Sequence, residues 1–396
     1  MIWLNGGPGF SSLFGFFAEN GPFRIDREAM KAGKSNFIKD NPFSWHNVAG
    51  YLVFDQPADT GLSFAANKSS APETDVEATA QLYNGIKAFL ANHPEFQHRK
   101  LYIFGESFAG HYIPEVATLI LKMNHQLHAS SSGGDADFVI NLSGIGIGDG
   151  WIDPAIQTPN MLAYLFEQSA LTLYQMNVAT KMLMSCMTAI AAHTSGEEPA
   201  SVNKICMDYR DYLGKASGRN IFDIRRPQSG YDFNYVGDYL NRDEVRKAIH
   251  AVPVAEHKWF PVSTLINKCL SVGEQNSTAK LFHGLLEKMP VILYFGVQDV
   301  CCNYPGTVAW LETINWSGKA LFSMTKAKQD IRDGRIYQTH RHSGHLTLYT
   351  FLNSGHMVPS DQPADVLSML HNFLYPKEMA VFSPKPVNAT TPYRIQ

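Results

Sequence analysis

The sequence predicts an α/β fold: a mixed, mostly parallel sheet flanked by helices, with a helical cap inserted into it. Three observations carry that reading. Strand-like apolar runs alternate with helical runs along most of the chain. From about Asp153 to Tyr235 strand signals vanish and the periodicity turns helical, with Met182, Met184 and Met187 clustered. Strand signals then resume. Residues 1–152 and 236–396 are therefore expected to form the core, and 153–235 the cap.

The elements follow in order. An apolar strand in "MIWLNGGPGF" runs straight into the loop Gly6-Gly7-Pro8-Gly9. "YLVFDQP" (Tyr51 to Pro57) reads as a buried strand ended by proline. Thr74-Asp75-Val76-Glu77 is a capping-box pattern, followed by an amphipathic run through Tyr83, Ile86 and Leu90 to His93-Pro94. "LYIF" (Leu101 to Phe104) is a strand, and "YIPEVATLILKM" continues as helix after a tight turn. "FVINLSGIGIG" (Phe138 to Gly148), "VILYFG" (Val291 to Gly296) and "LTLYTFL" (Leu346 to Leu352) read as strands, and "PADVLSMLHNFL" as helix. Ser130 to Gly134 reads as a surface loop and the tail after Phe382 as loosely ordered.

Composition excludes several functions. Charged residues are only 17%, the formal net charge is -3, and no basic run occurs, which argues against nucleic-acid binding and polybasic membrane attachment. No apolar stretch approaches the length of a membrane span. No signal peptide is visible, yet N-x-S/T occurs at Asn67, Asn141, Asn276, Asn315 and Asn388, which tilts the expectation towards a secretory route. Of five cysteines, Cys186 and Cys206 flank one helical stretch and are able to bridge. The adjacent Cys301-Cys302 is expected to be a poor chelate, because neighbouring side chains on a strand diverge.

The chemistry concentrates at "LYIFGESFAG", where a strand runs into Gly105-Glu106-Ser107-Phe108-Ala109 and a helix follows. This is a nucleophile-elbow pattern, with alanine in place of the usual second glycine. Alone, the match is weak; the strand-then-helix setting strengthens it. A serine hydroxyl needs a base, and the base an orienting acid. In this type of site the order along the chain is serine, acid, histidine. Asp299 and His356 fit, each in a loop directly after a strand. An oxyanion needs two backbone N–H donors: one is expected from Phe108, the other from the glycine-rich turn Asn5-Gly6-Gly7-Pro8-Gly9. A phosphate cradle there would want Lys and Ser/Thr at the helix start, and neither is present. His340, His342 and His345 suggest a metal site only superficially, because Ser343-Gly344 splits them and no carboxylate is expected nearby.

At this point the chain resembles the serine carboxypeptidase family of the α/β-hydrolase fold. "WLNGGPG", "ENGPF", "NPFSW", "DQP", "GESFAGHYIP", "GDGWIDP", "VGDYL", the "CN" after Asp299 and "GHMVPSDQP" fall in that family's order from residue 2 to about residue 375. The resemblance implies Ser107, Asp299 and His356 as the triad and the amides of Gly7 and Phe108 as the oxyanion hole. It implies Trp3, Asn5, Gly6, Glu19 and Glu106 as the group holding a substrate's C-terminal carboxylate. Two neighbouring glutamates would share protons and donate to that carboxylate in acid. Met357 is implied as a wall of the leaving-residue pocket, favouring apolar C-terminal residues, and Cys302 as a free thiol near the site. The substrates implied are peptide or protein C-termini, with no cofactor or metal, in a vacuolar, lysosomal or extracellular setting.

Departures from the family pattern also set expectations. Phe10 stands where many members have a half-cystine, so one bridge is expected to be missing and Cys269 unpaired. Val297 replaces a common aspartate, Asp59 sits where glycine is usual, and Asp149 where asparagine is often found. The family carries a signal peptide and further strands before "WLNGGPG", so this chain is expected to lack an N-terminal region. Two rival readings stand beside the peptidase: an acyltransferase or other hydrolase on the same scaffold, and a truncated, non-catalytic member.

Overall fold

A computed structural model describes residues 1–64, 71–129, 138–196, 202–231, 233–332 and 335–376. Its central sheet has eight strands: β1 (Ile2–Leu4), β2 (Leu52–Val53), β3 (Leu101–Glu106), β4 (Leu142–Gly148), β5 (Val291–Gly296), β6 (Lys328–Arg332), β7 (Arg335–Ser343) and β8 (Leu346–Phe351). The order across the sheet is β6-β7-β8-β5-β4-β3-β1-β2. The pairings from β8 through β5, β4, β3 and β1 to β2 are parallel. The hairpin β6–β7 and its junction with β8 are antiparallel.

The centre of the sheet is apolar on both faces because helices cover both. In β5 every residue is buried. Leu293 and Phe295 pack into the cluster on one face, whereas Ile292 and Tyr294 pack into the cluster on the other, as the two-residue period of a strand requires. The first face receives helices Asp75–Asn92 and Ala109–Ala129, and the second receives helix Pro363–Leu374. Thr74 caps the first of these helices, accepting from Glu77 N at 3.2 Å, as its capping-box pattern predicts.

Register positions the site. Glu106, at the end of β3, lies opposite Gly148, at the end of β4. Gly296, closing β5, lies opposite Phe351, closing β8. Four parallel strands thus finish along one edge, where ligands bind in such sheets. Ser107, Asp149, Asp299 and His356 all follow within a few residues of those ends.

Several expectations are corrected. Within Tyr51 to Pro57 only Leu52 and Val53 pair, and the strand expected from Phe138 begins at Leu142. Strands do not vanish from 153–235: Arg219–Asn220 and Asp223–Pro227 form an antiparallel ribbon after helices Pro154–Glu167, Leu173–Thr194 and Val202–Ser217. The hairpin β6–β7 went unanticipated because most of its residues are polar and no apolar alternation marks it. Cys186 and Cys206 are disulfide-bonded, joining the two longer helices of that segment, whereas Cys269, Cys301 and Cys302 are free thiols. Asn141, Asn276 and Asn315 are exposed. Asn67, Asn388, the loop Ser130 to Gly134 and the tail after Phe382 lie outside the described residues.

Candidate active site

The turn after β3 is built by close backbone approach. A Cβ at Gly105 would lie 2.3 Å from Leu4 O and 2.7 Å from the Cβ of Ala109, so both flanking positions must be small. Ser107 is held at φ 62°, a left-handed conformation uncommon outside glycine. Three backbone bonds hold it there. Ser107 N donates to Gly148 O at 3.0 Å, and Ser107 O accepts from the amides of Gly110 and Trp151, each at 2.9 Å.

The glycine loop after β1 abuts this turn. A Cβ at Gly6 would sit 2.3 Å from Phe108 N and 2.8 Å from the Cβ of Ser107. Only a glycine lets the two loops meet, and that contact brings Gly7 and Phe108, the two expected oxyanion donors, to one place. Both residues line a cavity of about 180 Å³ together with Ser107, His356, Asn5, Gly6, Glu106, Met357 and Cys302.

His356 Nδ1 lies 2.6 Å from Asp299 Oδ2. Asp299 is wholly buried, and its Oδ1 accepts from the amides of Cys301 and Cys302 at 2.8 and 3.3 Å. Burial alone would lower the affinity of His356 for a proton; the adjacent Asp299 carboxylate outweighs it and leaves the imidazole raised above its ordinary value. That is the balance expected where an acid orients a base.

The third constellation centres on Asn5. Its side-chain amide donates to Glu19 Oε1 at 3.0 Å and to Glu106 Oε1 at 2.8 Å, while its oxygen accepts from Trp3 Nε1 at 2.9 Å and Gly15 N at 3.2 Å. Both glutamates are raised above the ordinary carboxylate range, chiefly by burial, and Glu106 further by the charge of Glu19. The remaining oxygens, Glu19 Oε2 and Glu106 Oε2, are buried with no donor reaching them among the described residues. Two such carboxyls hold protons in common. Trp3 and Glu19 stand behind Asn5 and Glu106 rather than on the cavity wall, so they reach the cavity only through those two side chains.

Beside the expected Met357, several wall residues carry no sequence signal. Met357 belongs to an aromatic cluster with Phe14 and Phe233, which lines one part of the cavity. Elsewhere the wall contains Arg210 and Glu274, paired at 2.6 Å, with the Arg210 guanidinium 5.8 Å from the Trp151 ring. The pair joins positions 64 apart in sequence, which no local pattern foretells.

Potential metal ligands gather in two places among the described residues: Asp299, Cys302 and His356, and Asp75, His111 and Glu115. In the first set Asp299 and His356 are already engaged with each other. The histidines of β7 and the turn after it do not converge. His340 faces Asp330 at 3.2 Å, which corrects the expectation that no carboxylate is near; His342 faces Thr347, and His345 faces Leu286 O. Cys301 and Cys302 sit in a turn rather than a strand, and their thiols contact each other. The expected divergence of adjacent side chains therefore does not occur.

The family comparison covers nearly the whole chain. The family described as serine carboxypeptidase matches residues 1–375. Serine carboxypeptidase-like 47 of Arabidopsis thaliana is 31% identical over 384 residues, covering 95% of this chain and 72% of that protein. A serine carboxypeptidase-like protein of Oryza sativa subsp. japonica is 32% identical over 380 residues, covering 93% and 84%. Among solved structures, a prohormone-processing carboxypeptidase from Saccharomyces cerevisiae superposes with a TM-score of 0.80 at 23% identity, over 95% of this chain and 82% of that one. This likeness shows the α/β-hydrolase fold. Taken with the match across residues 1–375, the elbow, the glycine loop and the ends of β5 and β8 make the chain a member of the serine carboxypeptidase family.

Proposed function

We propose that the protein is a serine carboxypeptidase that releases single C-terminal residues from peptides, works best in acid, and passes through an acyl-enzyme on Ser107. The observation that carries this reading is the Asn5–Glu19–Glu106 cluster, which presents Asn5 and Glu106 to the cavity beside Ser107. Carboxyl groups kept protonated by burial donate to a substrate carboxylate; ionised ones repel it. An esterase or acyltransferase whose substrates carry no carboxylate has no use for such a group.

In the proposed cycle, Ser107 Oγ attacks the last peptide carbonyl while His356 takes the serine proton. The amides of Gly7 and Phe108 hold the oxyanion. His356 then gives the proton to the leaving amine and the peptide bond breaks. Water, deprotonated by the same imidazole, hydrolyses the ester and returns Ser107. Asp299 holds the imidazole orientation throughout. Asn5, Gly6 and Glu106 grip the C-terminal carboxylate, with Trp3 and Glu19 orienting them. Met357 supports an apolar leaving residue, and Cys302 borders the pocket. Residues 153–235 act as a cap on a core of 1–152 and 236–396; Arg210, Phe222 and Tyr231 on the cavity wall support that division. The Cys186–Cys206 disulfide and the exposed N-x-S/T sites support a secretory setting, vacuolar, lysosomal or extracellular.

The test compares blocked dipeptides with free and amidated C-termini between about pH 4 and pH 8. Acid-favoured release from the free-carboxylate substrate alone supports the proposal. Equal turnover of both overturns the carboxypeptidase reading in favour of a broader hydrolase.

A further inference from the structure

Asp149 is a buried carboxyl group that the cycle above does not use. It follows β4 with φ 41°, is wholly buried, and is tied to the neighbouring strand twice. Its amide donates to Tyr294 O at 2.9 Å, and its Oδ1 accepts from Gly296 N at 3.0 Å. Gly296 also anchors the turn that bears Asp299, whose amide donates to Gly296 O at 3.1 Å. One strand end therefore positions both aspartates, and their carboxyl groups lie within hydrogen-bonding reach of each other. No N–H or hydroxyl donor reaches Asp149 Oδ2 among the described residues.

Two adjacent buried carboxylates do not both ionise; one keeps the proton and donates it to the other. Which one keeps it follows from their partners. Asp299 accepts two amide hydrogen bonds and faces His356 at 2.6 Å, all of which favour its ionised form. Among the described residues Asp149 has one amide donor, Gly296, and no cation beside it. The titratable groups acting on it are Asp299 and Glu106, and it acts in turn on Tyr294 and Cys302, none of which supplies positive charge. Burial and the charge of Asp299 both raise its affinity for a proton.

We propose that Asp149 is a positioning residue that stays in the acid form and donates a hydrogen bond to the Asp299 carboxylate, fixing the acid that orients His356. When Asp149 ionises, it repels Asp299 and the orientation of the imidazole is lost. The turnover step then fails on the alkaline side for a reason separate from substrate-carboxylate binding. This inference rests on the reading of Ser107, Asp299 and His356 as the triad.

The experiment uses Asp149→Asn, whose amide keeps an acceptor for Gly296 and gives Asp299 a donor that never titrates. Its kcat at acidic pH should stay within about threefold of the parent, and the alkaline limb of kcat should move up by about one pH unit or more. Asp149→Ala should lose at least about tenfold in kcat with KM little changed. Infrared difference spectra add a readout independent of activity and folding yield. The parent at neutral pH should show a protonated-carboxyl carbonyl band that Asp149→Asn lacks. An unmoved alkaline limb in a folded Asp149→Asn, or no loss of that band, overturns the proposal. Labelling of Ser107 by an organophosphate, blocked in Ser107→Ala, is measured alongside. Absent labelling of the folded parent overturns the triad reading and this inference with it; labelling with an unmoved limb overturns only this inference.

Discussion

Asn5 and Glu106, 101 residues apart in sequence, are joined by a 2.8 Å hydrogen bond from the asparagine amide to the glutamate carboxyl. The bond ties the glycine loop after β1 to the elbow after β3, whose strands pair directly. Residues that would grip a substrate's end are thereby fixed relative to the serine that would attack it. Asn5→Ala removes this tie and leaves two buried glutamates without their shared donor. It should reduce kcat/KM for free-carboxylate dipeptides by roughly 10- to 100-fold. Amidated substrates should be affected far less, so the ratio of the two rates is the measurement.

Ser107→Ala should reduce kcat by roughly 10⁴- to 10⁶-fold. Asp299→Asn leaves the geometry near His356 intact but removes the orienting charge, and about 10⁴-fold is the expected loss. Both are read by steady-state kinetics at the pH optimum of the parent. A folded Ser107→Ala with parental activity would remove the serine from its proposed role.

The pH dependence of kcat/KM should be bell-shaped. Activity falls at the low-pH end, where His356 is protonated and no longer a base; release favours acid only where proton retention by Glu19 and Glu106 outweighs that loss. Activity falls again as pH rises through the raised values of Glu19 and Glu106, because the ionised pair repels the substrate. Glu19→Gln/Glu106→Gln keeps donors at every pH. It should move the alkaline limb of kcat/KM up through KM, with the limb of kcat unmoved.

Stability should fall as pH rises above the ordinary glutamate value of 4.5. The sign follows from the raised groups. The folded chain keeps protons on Glu19, Glu106 and Asp149 that the unfolded chain releases, so each contributes stability at low pH that is lost as pH climbs through its folded value. Urea midpoints at about pH 5 and about pH 8 should differ accordingly. The Glu19→Gln/Glu106→Gln variant should show a smaller difference.

Gly6→Ala places a methyl 2.3 Å from Phe108 N, against backbone that has no room to move. The expected cost is about 1–3 kcal/mol of stability, with a larger fractional loss of activity because the two amide donors are pushed apart. Thermal melting and single-turnover rates measure the two effects separately.

Much of the site was legible along the chain because its parts sit in short segments with strict local demands. The elbow around Ser107 needs small residues two positions either side, and Gly105 and Ala109 declare that need. Asp299 and His356 follow apolar runs that end at one sheet edge. Arg210 and Glu274 had no such signature, because what unites them is a tertiary contact between a helix of the 153–235 segment and a distant turn. The hairpin β6–β7 escaped notice for a related reason. Neither strand carries an apolar alternation, so the pairing of β7 with β8 is visible only once the sheet exists.

What the sequence determined by itself was the alternation of strands and helices, the elbow and its partners in chain order, and the groups expected to hold a carboxylate. These follow from local backbone geometry and hydrophobic period, which a few neighbouring residues set. Tertiary structure decided which buried carboxyls face each other and what surrounds them. It placed Trp3 and Glu19 behind the cavity wall, turned Cys301 and Cys302 towards one another, and set Asp149 beside Asp299. Burial and neighbouring charge determine where a proton resides, and neither exists until strands far apart in the chain end side by side.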